Sequence, residues 1–247
     1  MGLPISVLAR GQAALSPGAD AAVRAVFAEL THVDLVFSPY KPDSVVSRLA
    51  RGEVLLADCE PDVREVAARC DQARQDTGGL FDATRPDGRW DPSGLVKGWA
   101  VERAARHLTT VEDVDWCLNA GGDVVVICPS GIPFNVGIQD PRDPDRVAAV
   151  VPCTAGGVAT SGTAARGEHL YDPHSGTPAA ALASVTVVGP SLERADVLAT
   201  AAFVAGETAL DTIPPGYEGL RIDLDGRLSR TAGWSGAAVG EDGRLPG

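Results

Sequence analysis

The chain has 247 residues, 45% of them hydrophobic and 22% charged, as in a globular protein that can bury a sizeable core. Lys and Arg number 21 against 33 Asp and Glu, which gives a formal net charge of −12. This charge argues against a nucleic-acid-binding face and against attraction to anionic membranes. No run of about 18 apolar residues predicts a membrane span, and no export signal is recognisable.

The number and spacing of the cysteines indicate the redox compartment in which the protein resides. The five cysteines form no CxxC pair and have no metal-site spacing. Three of them, Cys117, Cys128 and Cys153, lie in apolar contexts that are typical of buried thiols. These features predict a reducing, cytoplasmic location without a stable membrane anchor, although processing of a longer native amino terminus stays an open alternative.

The amino-terminal part is predicted to be mainly helical. A strand-like run at 5–8 precedes helical apolar spacing at 19–35, and a short helix is expected at 44–50. A further amphipathic helix is predicted at 60–75, with Pro61 at its first position.

A fourth helix is predicted where residues 93–98, SGLVKG, lead into apolar positions at helical spacing. A lysine flanked by glycine at the start of a helix can bind an anion with its ammonium group. Nearby N–H groups add the positive end of the helix dipole. Most surface lysines are simply solvated, so Lys97 alone does not identify a site, and the segment is not a P-loop.

The middle of the chain is predicted to be β-structure. Residues 116–128, WCLNAGGDVVVIC, show an apolar strand pattern interrupted by NAGGD. That interruption indicates either a bulge that another group approaches closely or a hairpin turn. Further strands are predicted at 134–139, 147–151 and 183–188, and an edge hairpin at 217–228.

Residues 155–176, AGGVATSGTAARGEHLYDPHSG, combine glycines and short hydroxyls with a His-x-x-Asp-Pro run. Glycines let a ligand reach the main chain, and the hydroxyls of Thr160 and Ser161 would lie beside exposed N–H groups. Such a surface suits phosphate oxygens, and His169 adds an ionisable ring beside a turn. The segment is poor core material, and an ordinary surface loop is the alternative.

The helix predicted at 191–207 carries Asp196 and Thr200, which are four residues apart and therefore share one face. A carboxylate with a hydroxyl is hard-oxygen ligation suited to Mg²⁺, and a cation would help an acidic protein to bind pyrophosphate. The alternative is a first-turn Asp favoured by the helix dipole, with the Thr packed on the preceding turn.

Nine motifs in register resemble the ApbE-type FAD:protein FMN transferases. In chain order they are FSPYKPDS, GGLFDAT, DPSGLVKGWAVERA, LNAGGD, VGIQDP, VATSG, EHLYDPHSG, SVTVV and ADVLATAAFVAG. The resemblance implies an α/β, T-fold-like architecture with two related α/β halves and mixed, largely antiparallel sheets flanked by helices. We accordingly expect one domain over 1–247, with the Gly- and Ala-rich residues 235–247 as a mobile tail.

The resemblance also implies an activity, namely Mg²⁺-dependent transfer of FMN from FAD to a Thr or Ser hydroxyl of an acceptor protein, with release of AMP. It implies metal binding by Asp196, Thr200 and the Gly94 carbonyl, with Asp196 and His169 as the catalytic pair and His169 near the attacking hydroxyl. Glu102 stands where many members have Asp. The segments matched to the flavin nucleotide contribute Ser38, Lys97, Asn119, Gly121, Gly122, Asp123, Thr160, Ser161 and Gly162.

Two other functions remain open at this point. A hydrolase could use the same residues with water as the nucleophile and release free FMN and AMP, because the acceptor hydroxyl comes from outside the chain. A protein that binds FAD without turnover is the second alternative. The motifs carry no lipoprotein-type leader ahead of them, which leaves the compartment and the acceptor undetermined.

Overall fold

The structure is a computed structural model and describes residues 2–162 and 170–239. Five α-helices follow the predicted helical segments closely. They are α1 (Pro17–Phe37), α2 (Val45–Ala50), α3 (Pro61–Asp76), α4 (Ser93–Ala105) and α5 (Leu192–Ala205). Serine hydroxyls cap three of them, since Ser16, Ser44 and Ser191 each accept a hydrogen bond from a first-turn amide.

The described part of the chain contains ten strands, which form two sheets. They are β1 (Ile5–Arg10), β2 (Asp115–Ala120), β3 (Asp123–Ile127), β4 (Phe134–Asp140), β5 (Asp143–Cys153), β6 (Ala155–Gly162), β7 (Leu182–Gly189), β8 (Glu218–Asp223), β9 (Leu228–Arg230) and β10 (Ala237–Ala238). The larger sheet has the order β1-β2-β3-β6-β7-β8-β9, and the smaller has the order β10-β5-β4. Every strand pair in 2–162 and 170–239 is antiparallel.

The central strands of the larger sheet are buried on both faces, because helices cover one side and the smaller sheet covers the other. Leu118 and Val125 point to the helix side and pack with apolar residues of α1, α3, α4 and α5. Their strand neighbours Cys117 and Val124 join a second cluster with side chains of β4 and β5. Alternate residues of a strand face opposite sides of a sheet, which explains these nearly continuous apolar runs. The α/β class with antiparallel sheets flanked by helices is confirmed.

The interpretation of residues 155–162 as poor core material, with an ordinary surface loop as the alternative, needs correction. They form β6, a central strand between β3 and β7 in which Val158 and Ala159 are fully buried. The glycines have a packing reason that the sequence does not reveal. A Cβ on Gly157 would lie 2.4 Å from Leu192 Cα, so only glycine lets α5 begin this close to the strand.

Part of the predicted tail pairs with the smaller sheet. Ala237–Ala238 pair with Ala149 and Val150 of β5, while residues 240–247 lie outside the structure's description, so the mobility of the tail stays a prediction. The edge hairpin is confirmed by β8 and β9 at the end of the larger sheet. Within the two described ranges, no helix combines the length and apolarity needed to cross a bilayer.

Candidate active site

A cleft of about 170 Å³ lies where the beginning of α4, the β2–β3 turn, the end of β6 and one face of α5 meet. It brings together eight of the predicted site residues, which are far apart in the sequence. The cleft is lined by Gly94, Lys97, Gly121, Thr160, Ser161, Gly162, Asp196 and Thr200, together with Phe81, Asp91 and Tyr171 among others.

Two buried carboxylates share one ammonium beside this cleft. Asp123 is 1% exposed and Asp196 is 2% exposed. Lys97 Nζ lies 2.6 Å from Asp123 Oδ2 and 3.4 Å from Asp196 Oδ1. Backbone amides donate hydrogen bonds to the other oxygen of each carboxylate. The Thr160 N–H donates to Asp123 Oδ1 at 3.3 Å. The Gly98 N–H donates to Asp196 Oδ2 at 3.1 Å. A buried charge needs such partners.

Burial dominates the acid–base behaviour of Asp196. Removal from water raises the pKa of this carboxyl to about 7, the Asp123 carboxylate adds to the rise, and Lys97 and the Gly98 N–H oppose it. A further cation in the cleft would favour the ionised carboxylate, which is the form that binds metals.

The cleft offers oxygen ligands of the kind that Mg²⁺ prefers. The Thr200 hydroxyl lies one helical turn from Asp196 and is 3.1 Å from the Ser161 hydroxyl of β6. Lys97 already places positive charge against the Asp196 carboxylate. The oxygens of Asp196 and Thr200 fit a divalent cation that takes its remaining ligands from water and other oxygen groups. Across residues 2–162 and 170–239, no group of three or more His, Cys, Asp and Glu side chains could itself enclose a metal ion.

The NAGGD interruption is a hairpin turn between β2 and β3. Gly121 and Gly122 have φ values of 63° and 98°, the left-handed region that such two-residue turns require. Asn119 Oδ1 accepts a hydrogen bond from the Gly122 N–H at 3.0 Å, so this side chain shapes the turn. Gly121 lines the cleft, whereas Asn119 and Gly122 are not among the lining residues.

Ser38 lies apart from the main cleft. It follows the last residue of α1 and lines a smaller recess with Phe37, Tyr40 and Ser93. Lys97 lines both this recess and the main cleft, so the two spaces adjoin. Tyr40 lies at the rim of this recess and is 89% exposed. No periodicity in the sequence identifies it as a candidate site residue.

Family comparison agrees with this geometry. The model of the ApbE family matches residues 1–88 and 84–218, which is most of the chain. This chain belongs to the ApbE family.

The FAD:protein FMN transferase of Rhodobacter capsulatus is 29% identical over 185 residues, which cover 71% of this ApbE-family chain and 32% of that relative. The FAD:protein FMN transferase of Treponema pallidum is 36% identical over 169 residues, covering 58% of this chain and 46% of the relative. The chain thus spans less than half the length of these curated relatives.

Solved ApbE structures share the fold. The ApbE protein of Thermotoga maritima superposes with a TM-score of 0.82 at 22% identity, and the match covers 94% of each chain. The flavinyl transferase ApbE of Pseudomonas stutzeri, in its apo form, gives a TM-score of 0.72 at 23% identity, covering 94% of this chain and 97% of that one. At these identities the likeness establishes the ApbE fold.

One residue that supports the ApbE site was recognised in the sequence only as a departure from the family pattern. Glu102 Oε2 accepts hydrogen bonds from the Ser191 hydroxyl at 2.8 Å and from the Glu193 N–H at 3.0 Å. It therefore anchors the start of α5, the helix that carries Asp196 and Thr200, by satisfying a free first-turn amide. No local pattern reveals this contact, since Glu102 and Ser191 are 89 residues apart.

His169, the predicted base of the ApbE site, falls in 163–169, outside the residues that the structure describes. Its position relative to the cleft therefore stays a prediction. The chain approaches the cleft on both sides of this segment, because Gly162 precedes it, Tyr171 follows it, and both line the cleft.

Proposed function

We propose that this protein transfers FMN from FAD to a Thr or Ser hydroxyl of an acceptor protein, with Mg²⁺ and with release of AMP. The observation that carries the proposal is the arrangement of Asp196, Lys97 and Thr200 around one cleft, in a family whose curated members are named FAD:protein FMN transferase. In this reaction the acceptor oxygen bonds to the FMN phosphorus. The bond from that phosphorus to the AMP phosphate oxygen breaks, and AMP leaves.

Charge compensation is the main requirement of a displacement at pyrophosphate. Mg²⁺, when bound, would neutralise negative charge on the phosphate oxygens, with Asp196, Thr200 and the Gly94 carbonyl as its protein ligands. Lys97 contributes a second positive charge at the cleft wall. The hydroxyls of Thr160 and Ser161 can donate hydrogen bonds to the nucleotide.

The remaining roles concern orientation and proton transfer. The tight turn at Gly121 brings main chain against the cleft, where backbone can approach the nucleotide closely. The exposed ring of Tyr40, in the adjoining recess with Ser38, offers a flat apolar surface for the flavin ring. His169 would accept the proton of the attacking hydroxyl, since an imidazole has a reference pKa near 6.5.

The test is incubation of the purified protein with FAD, Mg²⁺ and candidate acceptor domains. We expect an acceptor mass increase equal to one FMN on Thr or Ser, with equimolar AMP. Asp196→Asn should abolish transfer, whereas Asp211→Asn, at an exposed position, should leave the rate unchanged.

Other outcomes would overturn the proposal. Free FMN with AMP, and no labelled acceptor, would establish an FAD hydrolase. Bound FAD without AMP over hours would establish a binding protein. If His169→Ala leaves the rate intact while Asp196→Asn abolishes transfer, the base assignment is wrong and the metal assignment stands.

A further inference from the structure

At Gly98, α4 packs tightly against α5. A Cβ at this position would lie 2.9 Å from Glu193 Cα, 3.0 Å from Asp196 Cβ and 3.0 Å from Leu192 O. Two of these atoms belong to the α5 backbone and cannot rotate away as a flexible side chain could. Any residue other than glycine would therefore push the two helices apart.

The same residue makes an unusual hydrogen bond. Its N–H donates to Asp196 Oδ2 at 3.1 Å, within buried surroundings. Gly98 lies in the interior of α4, where a regular helix directs the N–H of residue 98 at the carbonyl of residue 94. One donor is thus within the reach of both Gly94 and Asp196, and the missing side chain of Gly98 is what lets the carboxylate approach it.

This contact fixes how the Asp196 carboxylate is turned. One oxygen, Oδ2, faces the Gly98 N–H, and the other, Oδ1, faces Lys97 Nζ at 3.4 Å. Gly94 lines the cleft one helical turn before Gly98. A single backbone group therefore links two residues that hold the cation in the function proposed above.

We infer that Gly98 is a positioning residue for the metal site. Its hydrogen bond to Oδ2 turns Asp196 Oδ1 toward the cleft. Because Gly98 shares its N–H between Asp196 and Gly94, the Gly94 carbonyl can accept a second partner. The inference rests on the proposed function, because it concerns the same cation.

The first test compares Gly98→Ala with Gly18→Ala. Gly18 also lies in a helix, but a Cβ there would meet only Ser16 Oγ at 3.6 Å, an ordinary contact. Mn²⁺ is titrated into each protein in the presence of ADP, with Mn²⁺ and ADP alone as the blank because ADP itself chelates the ion, and free Mn²⁺ is followed by electron paramagnetic resonance. We expect Gly98→Ala to weaken Mn²⁺ binding at least about tenfold with the far-ultraviolet circular dichroism retained, while Gly18→Ala binds as the wild type does.

The outcomes separate the two proposals. If the wild type binds no Mn²⁺, the metal assignment of the proposed function fails. If the wild type binds Mn²⁺ and folded Gly98→Ala binds it equally well, the assignment of Gly98 is overturned while the proposed function stands.

A second measurement uses the wild-type protein and therefore does not depend on the folding of a variant. In glycine-labelled wild-type protein, saturating Mg²⁺ should move the amide resonance of Gly98 and leave that of Gly18 in place. An amide whose hydrogen-bond acceptor binds the cation must change its environment, so an unmoved Gly98 signal at Mg²⁺ saturation overturns the inference.

Discussion

Among single residues, Lys97 has a direct electrostatic role in the described site, because its ammonium lies between two buried carboxylates. Its side chain is only 21% exposed, and Nζ contacts both Asp123 and Asp196. Breaking a buried pair by removing one partner leaves an uncompensated charge, which costs more than the pair itself contributes.

Lys97→Met should therefore lower the free energy of unfolding by about 3 kcal/mol, at the lower end for a broken buried pair. The loss is limited because the raised pKa of Asp196 lets this carboxyl take up a proton. The measurement is urea unfolding at pH 7.5. Lys41→Met is the matched control, since its ion pair with Asp34 is more exposed and should contribute about 1 kcal/mol or less. Equal losses in the two variants would contradict the electrostatic explanation.

At the scale of elements, Asp115 ties β1 and β2 of the larger sheet to the loop that leads from β3 to β4. It begins β2, it accepts hydrogen bonds from the Ser130 N–H at 3.0 Å and the Ser130 hydroxyl at 2.6 Å, and it accepts one from Arg10 Nε of β1 at 3.0 Å. The Ser130 hydrogen bonds, with the Arg10 charge adding to them, hold the pKa of the Asp115 carboxyl below its usual range.

This lowered pKa predicts a pH-dependent stability. The unfolded carboxyl titrates near 3.9, so the contribution of Asp115 is fully present above about pH 5 and is lost as the pH falls through the folded-state value. Asp115→Asn should lower the urea midpoint clearly at pH 7 and much less at pH 3. The exposed Asp211→Asn should shift neither midpoint. A deficit of Asp115→Asn that is as large at pH 3 as at pH 7 would mean that the charge is irrelevant.

At the scale of the whole molecule, one sheet separates two apolar clusters. Trp99 and Trp116 belong to the helix-side cluster, and Trp234 belongs to the cluster against the smaller sheet. Because strands β2, β3 and β6 supply side chains to both, we expect the two clusters to be lost together.

The chain should therefore unfold in one cooperative transition, as the single-domain prediction requires. The measurement compares urea transitions followed by far-ultraviolet circular dichroism and by tryptophan fluorescence, in the wild type and in Trp234→Phe. The two signals should coincide in both proteins, although the midpoint of Trp234→Phe will be lower. A fluorescence transition that separates from circular dichroism only when Trp234 is present would show that the smaller sheet unfolds independently.

The sequence by itself determined the helices and most strands, because periodicity and caps are local properties. It also placed Asp196 and Thr200 on one face of α5, since a spacing of four follows from helical geometry. The order of nine motifs was sufficient to indicate the family, and the family match confirmed it.

Only the tertiary structure decided how these pieces meet. Glycines and hydroxyls made the residues of β6 look like poor core material, although Gly157 is required by the start of α5, a neighbour distant in sequence. The shared ammonium of Lys97, the anchoring by Glu102 and the hydrogen bond from Gly98 to Asp196, which are 98 residues apart, likewise have no local signature. The physical reason is that propensity and periodicity act within a few residues, whereas contact between distant residues depends on the packing of whole helices and sheets.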